Sequence, residues 1–296
     1  MKLIALIFGL GLERLATRVL HLRELHWFDR YFDFGLDRLR DANIVLAYAG
    51  TILLILLPLI PVAWASRALL QTGIPWDLPY LLFAVLVLFF CLGPRDLASE
   101  VEEYCQALAD SDAAEAERVL SELCEVDHSG AKDVVAVEEA IFVQATNRFF
   151  GVVFWFVVLG PVGAWLFRVS DLLRRRATTM GVADPERVTS SLLAIEMLQG
   201  VLVWVPARLA VIGYALSGNF DEAYNRWRQY ELKSDLPFHR SNDQVVACVG
   251  KAAMSGTAAD SSDPSVAARQ AMQLVFRTLF IGVTVIAVMT LFGWAV

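Results

Sequence analysis

The sequence predicts an all-α, polytopic membrane protein with four to six membrane segments and helical extramembrane regions. Of its 296 residues, 57% are hydrophobic and only 19% charged, and the mean hydropathy is +0.52. A soluble domain runs at about 45–50% apolar and about 25% charged. The apolar residues are also gathered into runs: 46–57 continued by 58–64, then 78–92, 152–167 and 274–296, the last holding only Arg277 near its start. A helix crosses the hydrocarbon layer with roughly 20 apolar residues, so these four are predicted spans. Two further segments are candidates: 1–12 is apolar but short, and 192–216 carries Glu196, Gln199 and Arg208.

The elements follow in chain order. Lys2 ahead of an apolar run imitates a secretory leader, but no small-residue cleavage site follows and the chain continues into the charged stretch 13–30. The start is therefore expected to be retained as a half-span or full span. Residues 1–93 form the N-terminal membrane helices with an amphipathic connection, and 94–143 an acidic helical region outside the membrane. Within it, apolar spacing of three and four predicts helices over 96–109 and 113–125, broken at Asp110, Ser111 and Asp112. Its carboxylates, Glu100, Glu102, Glu103, Glu115, Glu117, Glu122 and Glu125, read as a solvated hairpin face.

Residues 144–217 are the central membrane helices, interrupted by Gly160-Pro161 and by Pro206. Residues 218–273 form a second extramembrane region. Its opening, Gly218 to Tyr224, resembles one tetratricopeptide helix start, but a solenoid needs about three repeats, so Asn219 or Asp221 is read as a helix cap. The small polar stretch 255–263 is a predicted mobile linker, with Pro264 opening the last helix. Residues 274–296 are the C-terminal span.

If all six segments cross, regions 13–42, 94–148 and 218–273 share one side. They hold most of the Lys and Arg, so that side is cytoplasmic. Arg174, Arg175 and Arg176 then face outward. The alternative is that 149–169 and 192–216 enter the membrane and return at their breaks, where protein or a cavity satisfies the backbone.

Candidate chemistry lies at membrane depth. An ionisable group in a span costs at least about 2.5–3.5 kcal/mol and faces a bundle interior or wet cavity. Arg208 and Glu196, twelve residues apart on one helix, are separated by about 18 Å and need other partners. Pro206 removes a backbone donor and frees a carbonyl near Arg208, an opening suited to an anion. Its candidate company is Glu13, Glu139, Gln144, Asn147, Arg148 and Asp171, the last paired with Arg168 at helical spacing. Such a set holds a carboxylate, phosphate or nucleotide, with magnesium as an option; the alternative is that these groups pair structurally. There is no G-x-x-x-x-G-K-[ST] loop, and Gly9 and Gly11 lack the rest of a dinucleotide fingerprint. Cys91, Cys105, Cys124 and Cys248 include no C-x-x-C pair, and His21 and His26 are five apart, so no disulfide or metal site is expected.

Three blocks carry a family resemblance: Val137 to Phe150, Val153 to Trp165, and Trp204 through Pro206 and Arg208 to Leu216. With Glu13-Arg14-Leu15 and the closing apolar helix, they resemble the AmpE family of bacterial inner-membrane proteins over nearly the whole chain. The resemblance implies a multi-pass modulator or sensor of β-lactamase induction linked to cell-wall recycling, non-catalytic, with an anionic muropeptide-like ligand near Arg208. The lipid bilayer and a second copy of the chain are the other expected partners; nucleic acid is not. The same blocks are more distantly similar to the CobD/CbiB cobalamin-biosynthesis family, through Glu139, Asn147, Gly160-Pro161 with Gly163, and Pro206 with Arg208. That similarity implies an alternative: a membrane enzyme using ATP and magnesium to form an amide bond. The early G-D-P motif of that family is absent; Glu13 is followed by Arg14 and Leu15.

Overall fold

A computed structural model describes residues 5–6, 27–39, 43–71, 78–92, 97–124, 137–183, 189–233, 238–255 and 263–292. Every regular element among them is helical. The chain divides into two compact units, each assembled from separated segments: residues 1–94, 151–202 and 292–296 in the first, and 95–150 and 203–291 in the second.

The first unit begins with α1 (Trp27–Arg38), α2 (Ile44–Leu56), α3 (Leu59–Leu70) and α4 (Leu78–Cys91). Asn43 caps α2 by accepting from the Leu46 N–H at 2.9 Å. Pro58 separates α2 from α3, and its carbonyl accepts the Trp165 indole N–H at 3.1 Å. The unit is completed by α8 (Gly151–Leu159), α9 (Pro161–Ala183) and the first part of α10 (Thr189–Ser217). Helix α9 is its centre, packed against α1, α2, α3, α4 and α8. Phe28, Phe32, Leu36, Ile55, Leu59, Val169, Leu173 and Ile195 fill the space around it. Val45 and Trp64 are both 74% exposed, the outward faces of a helix pair that meets lipid rather than water.

The break at Gly160 was predicted and has a simple cause. Gly160 adopts φ +68°, accepts from Gly163 and Ala164 as the start of α9, and is followed by Pro161, whose missing N–H costs nothing at a first helical position. The predicted run 152–167 is thus two helices, and the helical stretch long and apolar enough to cross is Val137–Leu159 instead. Pro206 is a correction in the other direction: α10 runs unbroken through it over 29 residues. Arg176 donates two hydrogen bonds of 2.7 Å to Asp33, tying α9 to α1.

The second unit holds α5 (Leu97–Ala109), α6 (Ala113–Cys124), α7 (Val137–Ala145) with a π-helical turn over Thr146–Phe150, the rest of α10, α11 (Phe220–Lys233), α12 (Phe238–Ala253) and α13 (Pro264–Leu291). Helix α7 is the centre, packed by α5, α6, α12 and α13. The break between α5 and α6 stands where the sequence puts it, with Ser111 at φ 58° and Asp112 Oδ1 accepting from the Glu115 N–H at 3.1 Å. Asn219 caps α11, accepting from the Glu222 N–H at 3.3 Å, and Asp263 accepts from Ser265 at 2.9 Å at the start of α13. Most of the predicted linker, 256–262, lies outside the described residues, as do nearly all of 1–26.

Among the described residues, four helical stretches are long and apolar enough to cross a membrane: Ile44–Leu70, Val137–Leu159, Ser190–Ser217 and Pro264–Leu291. The protein is an all-α membrane protein of the polytopic kind. Helix α4, predicted to span, has 14 residues and covers about 21 Å at 1.5 Å per residue, short of the hydrocarbon thickness.

Candidate functional site

The predicted site residues separate into distinct polar centres. Three arise in the second unit. At the π-helical turn, the extra residue per turn rotates Asn147 and Arg148 into the packed interior, where both are buried. Such turns recur at functional sites. Arg148 Nη1 donates to both carboxylate oxygens of Glu100, at 2.9 and 2.8 Å, and its Nε donates to Gln144 Oε1 at 2.9 Å. Gln144 Nε2 in turn donates to the Leu123 carbonyl at 2.9 Å. One guanidinium thereby ties α5, α6 and α7 together. The neighbouring Asn147 Oδ1 is buried and meets no donor among the described residues.

The sequence places Glu100 on the solvated acidic face, and the structure corrects this: it is only 6% exposed. The signal was present: Leu97, Val101 and Tyr104 are buried, and Glu100 falls in the same helical stripe, three and four residues from its ends.

The second centre is Arg208. Its Nη1 donates to Oδ1 of the buried Asn242, from α12, and its guanidinium lies 5.2 Å from the centroid of the Trp204 ring. A planar cation held between an amide and an aromatic face is oriented, and arginines so held are suited to pairing with a carboxylate or phosphate. Neither Asn242 nor the role of Trp204 was legible in the sequence, since a helix 34 residues away supplies the first. The third centre is Glu139, where Lys251 of α12 approaches to 3.3 Å. Tyr214, fully buried, stacks edge-on against Phe142 at 4.9 Å and joins α10 to α7.

Asp171 belongs to the first unit. It is fully buried and accepts from Arg168 at 3.3 Å, Arg174 at 3.1 Å and Arg175 at 2.8 Å. The predicted Arg168 pair is there, within a larger cluster. Glu13 lies outside the described residues.

Pro206 is buried, and the carbonyl it deprives of a donor is that of Leu202, four residues earlier. The Trp155 indole N–H occupies that carbonyl at 3.0 Å, so the opening expected to serve an anion is filled by a side chain. Replacing Trp155 by Phe is expected to lower stability by about 1 kcal/mol, the cost of leaving a part-buried acceptor unmet. Adding Pro206→Ala restores a backbone donor to Leu202, so the double variant should recover most of the loss in a melting experiment in detergent.

Comparison with known proteins adds the lineage. The chain is 31% identical over 189 residues to "Cobalamin biosynthesis protein CobD" of Stutzerimonas stutzeri, covering 62% of this chain and 58% of that protein. It is 29% identical over 185 residues to the CobD of Chromobacterium violaceum, covering 61% of this chain and 55% of that protein. The chain thus spans less than two thirds of the length of these two relatives. To "Protein AmpE" of Shigella flexneri it is 25% identical over 227 residues, 75% of this chain and 77% of that protein. No solved structure matches the chain. The family model described as "Regulatory signalling modulator protein AmpE" matches residues 1–296, the whole length, and the chain belongs to the AmpE family.

Proposed function

We propose that this protein is a multi-pass modulator in the bacterial inner membrane that couples β-lactamase induction to cell-wall recycling by binding an anionic, muropeptide-like ligand at Arg208. The observation that carries the reading is the held guanidinium of Arg208, part-buried between Asn242 and Trp204 on a helix of crossing length. It lies in the block on which the family resemblance is most specific. A guanidinium held in place before the ligand arrives loses little freedom on binding, and its planar shape suits a carboxylate or phosphate. The test is the melting temperature of the purified protein in detergent, titrated with anhydromuropeptides. A rise is expected for the wild type. Arg208→Lys keeps the charge but not the fork, and is expected to bind at least about tenfold more weakly, as for loss of a charged hydrogen bond. An equal response from wild type and both Arg208→Lys and Arg208→Ala would sink the proposal.

A second reading has its own support. The CobD relatives and the unmet Asn147 Oδ1 favour a membrane enzyme that forms an amide using ATP and magnesium. A buried acceptor beside an interior π-turn is suited to a ligand N–H. This reading expects a thermal shift with ATP, magnesium and a corrinoid carboxylate together, lost in Asn147→Ala; a shift with anhydromuropeptide alone decides against it.

A further inference from the structure

We infer that the surface between the end of α10 and the middle of α13 is a binding site for an anionic phospholipid, with Arg277 holding the phosphate. An open groove of about 470 Å³ lies there, lined by Leu216, Ser217, Phe276, Arg277, Phe280 and Ile281. Leu216 is 60% and Phe280 74% exposed, so the groove wall is an apolar surface of the kind an acyl chain covers.

The position of Arg277 sets the depth. From 278 to Leu291, where α13 ends, the sequence has no charged residue, and Arg277 is the last charge before this apolar stretch. Arg277 therefore stands at the headgroup level, with the acyl region along Phe280 and Ile281. Its side chain is exposed and takes no hydrogen bond or ion-pair partner among the described residues. The hydroxyls of Ser217 and Thr278 are already engaged: Ser217 Oγ donates to the Gly213 carbonyl at 2.7 Å and lies 2.9 Å from Thr278 Oγ1. The two helices are locked at this point by close approach, since a Cβ on Gly213 would meet Thr278 Cγ2 at 2.5 Å. A rigid apolar groove with a single cation at its headgroup end selects a lipid with net negative charge over a zwitterionic one, whose own cation competes for the phosphate.

The experiment uses the full chain in dodecyl maltoside, titrated with phosphatidylglycerol, phosphatidylcholine or inorganic phosphate while the melting temperature is followed. Phosphatidylglycerol is expected to raise it at lower concentration than phosphatidylcholine, with no effect of phosphate alone. Arg277→Gln is expected to weaken the phosphatidylglycerol response by about fivefold, the worth of one basic residue at a membrane surface, and to melt as the wild type does without lipid. Arg269→Gln, one charge fewer on the same helix, controls for net charge and should respond as the wild type. Native mass spectrometry of the wild type in an equal mixture of the two lipids gives a second reading, expected to retain phosphatidylglycerol. An unchanged response in Arg277→Gln, an equal response to the two lipids, or a shift from phosphate alone overturns the assignment.

Discussion

Replacing Arg148 by Ala is expected to lower the stability of the detergent-solubilised protein by about 3–5 kcal/mol, and Glu100→Ala by a similar amount. The physical reason is asymmetry. Together the two charges satisfy one another at 2.8 and 2.9 Å, with Gln144 taking the remaining Nε donor. Remove either and the other is left charged in the interior of the second unit, where it costs far more than a surface ion would. The double variant Arg148→Met with Glu100→Leu separates this from simple loss of contacts. With both charges gone and similar volume retained, its loss should be well below the sum of the single losses. If the double variant is as unstable as that sum, the pair contributes by a geometry that apolar packing cannot replace. Since Asn147 lies on the same π-helical turn, the single variants should also disturb any ligand response that depends on Asn147. Arg208 variants should not alter stability to the same extent, because that side chain is only part-buried.

What was legible in the sequence, and what was not, follows from the range of the interactions. The break at Ser111, the cap at Asn219, the start of the last helix at Pro264 and the turn at Gly160-Pro161 are decided within four residues, and each stands where the residue types put it. Pro206 misled for the same reason. Its local effect, a missing N–H, was correct, but whether the helix breaks depended on a donor from elsewhere, and Trp155 supplies it. The site residues show the same division. Arg168 and Asp171 are three apart and were paired from spacing; Arg148 with Glu100 and Arg208 with Asn242 are separated by 48 and 34 residues and could not be. The π-helical turn is a further case: nothing in the periodicity of 137–150 announces the extra residue, yet it is the turn that carries Asn147 and Arg148.

Asp171 is expected to be the most costly carboxylate to neutralise in the first unit. Asp171→Asn keeps the shape but leaves Arg168, Arg174 and Arg175 facing one another around a neutral amide, and a loss of about 3–5 kcal/mol is expected, as for breaking a buried ion pair. Burial alone would push this carboxyl up, but the three guanidiniums outweigh it and hold the group well below the usual carboxylate range. A depressed folded value means that the stabilisation is fully present above the unfolded value of 3.8 and is lost only as pH falls through the lower folded value. The difference in melting temperature between wild type and Asp171→Asn should therefore be the same at pH 8 and pH 5. A difference that already shrinks between those values would mean that the carboxyl titrates in that window and that the arginines are held apart by something other than its charge. Salt gives an independent check. Exposed pairs such as Arg269 with Glu102 at 3.4 Å are screened at high ionic strength, whereas the Asp171 cluster is buried and should keep its contribution.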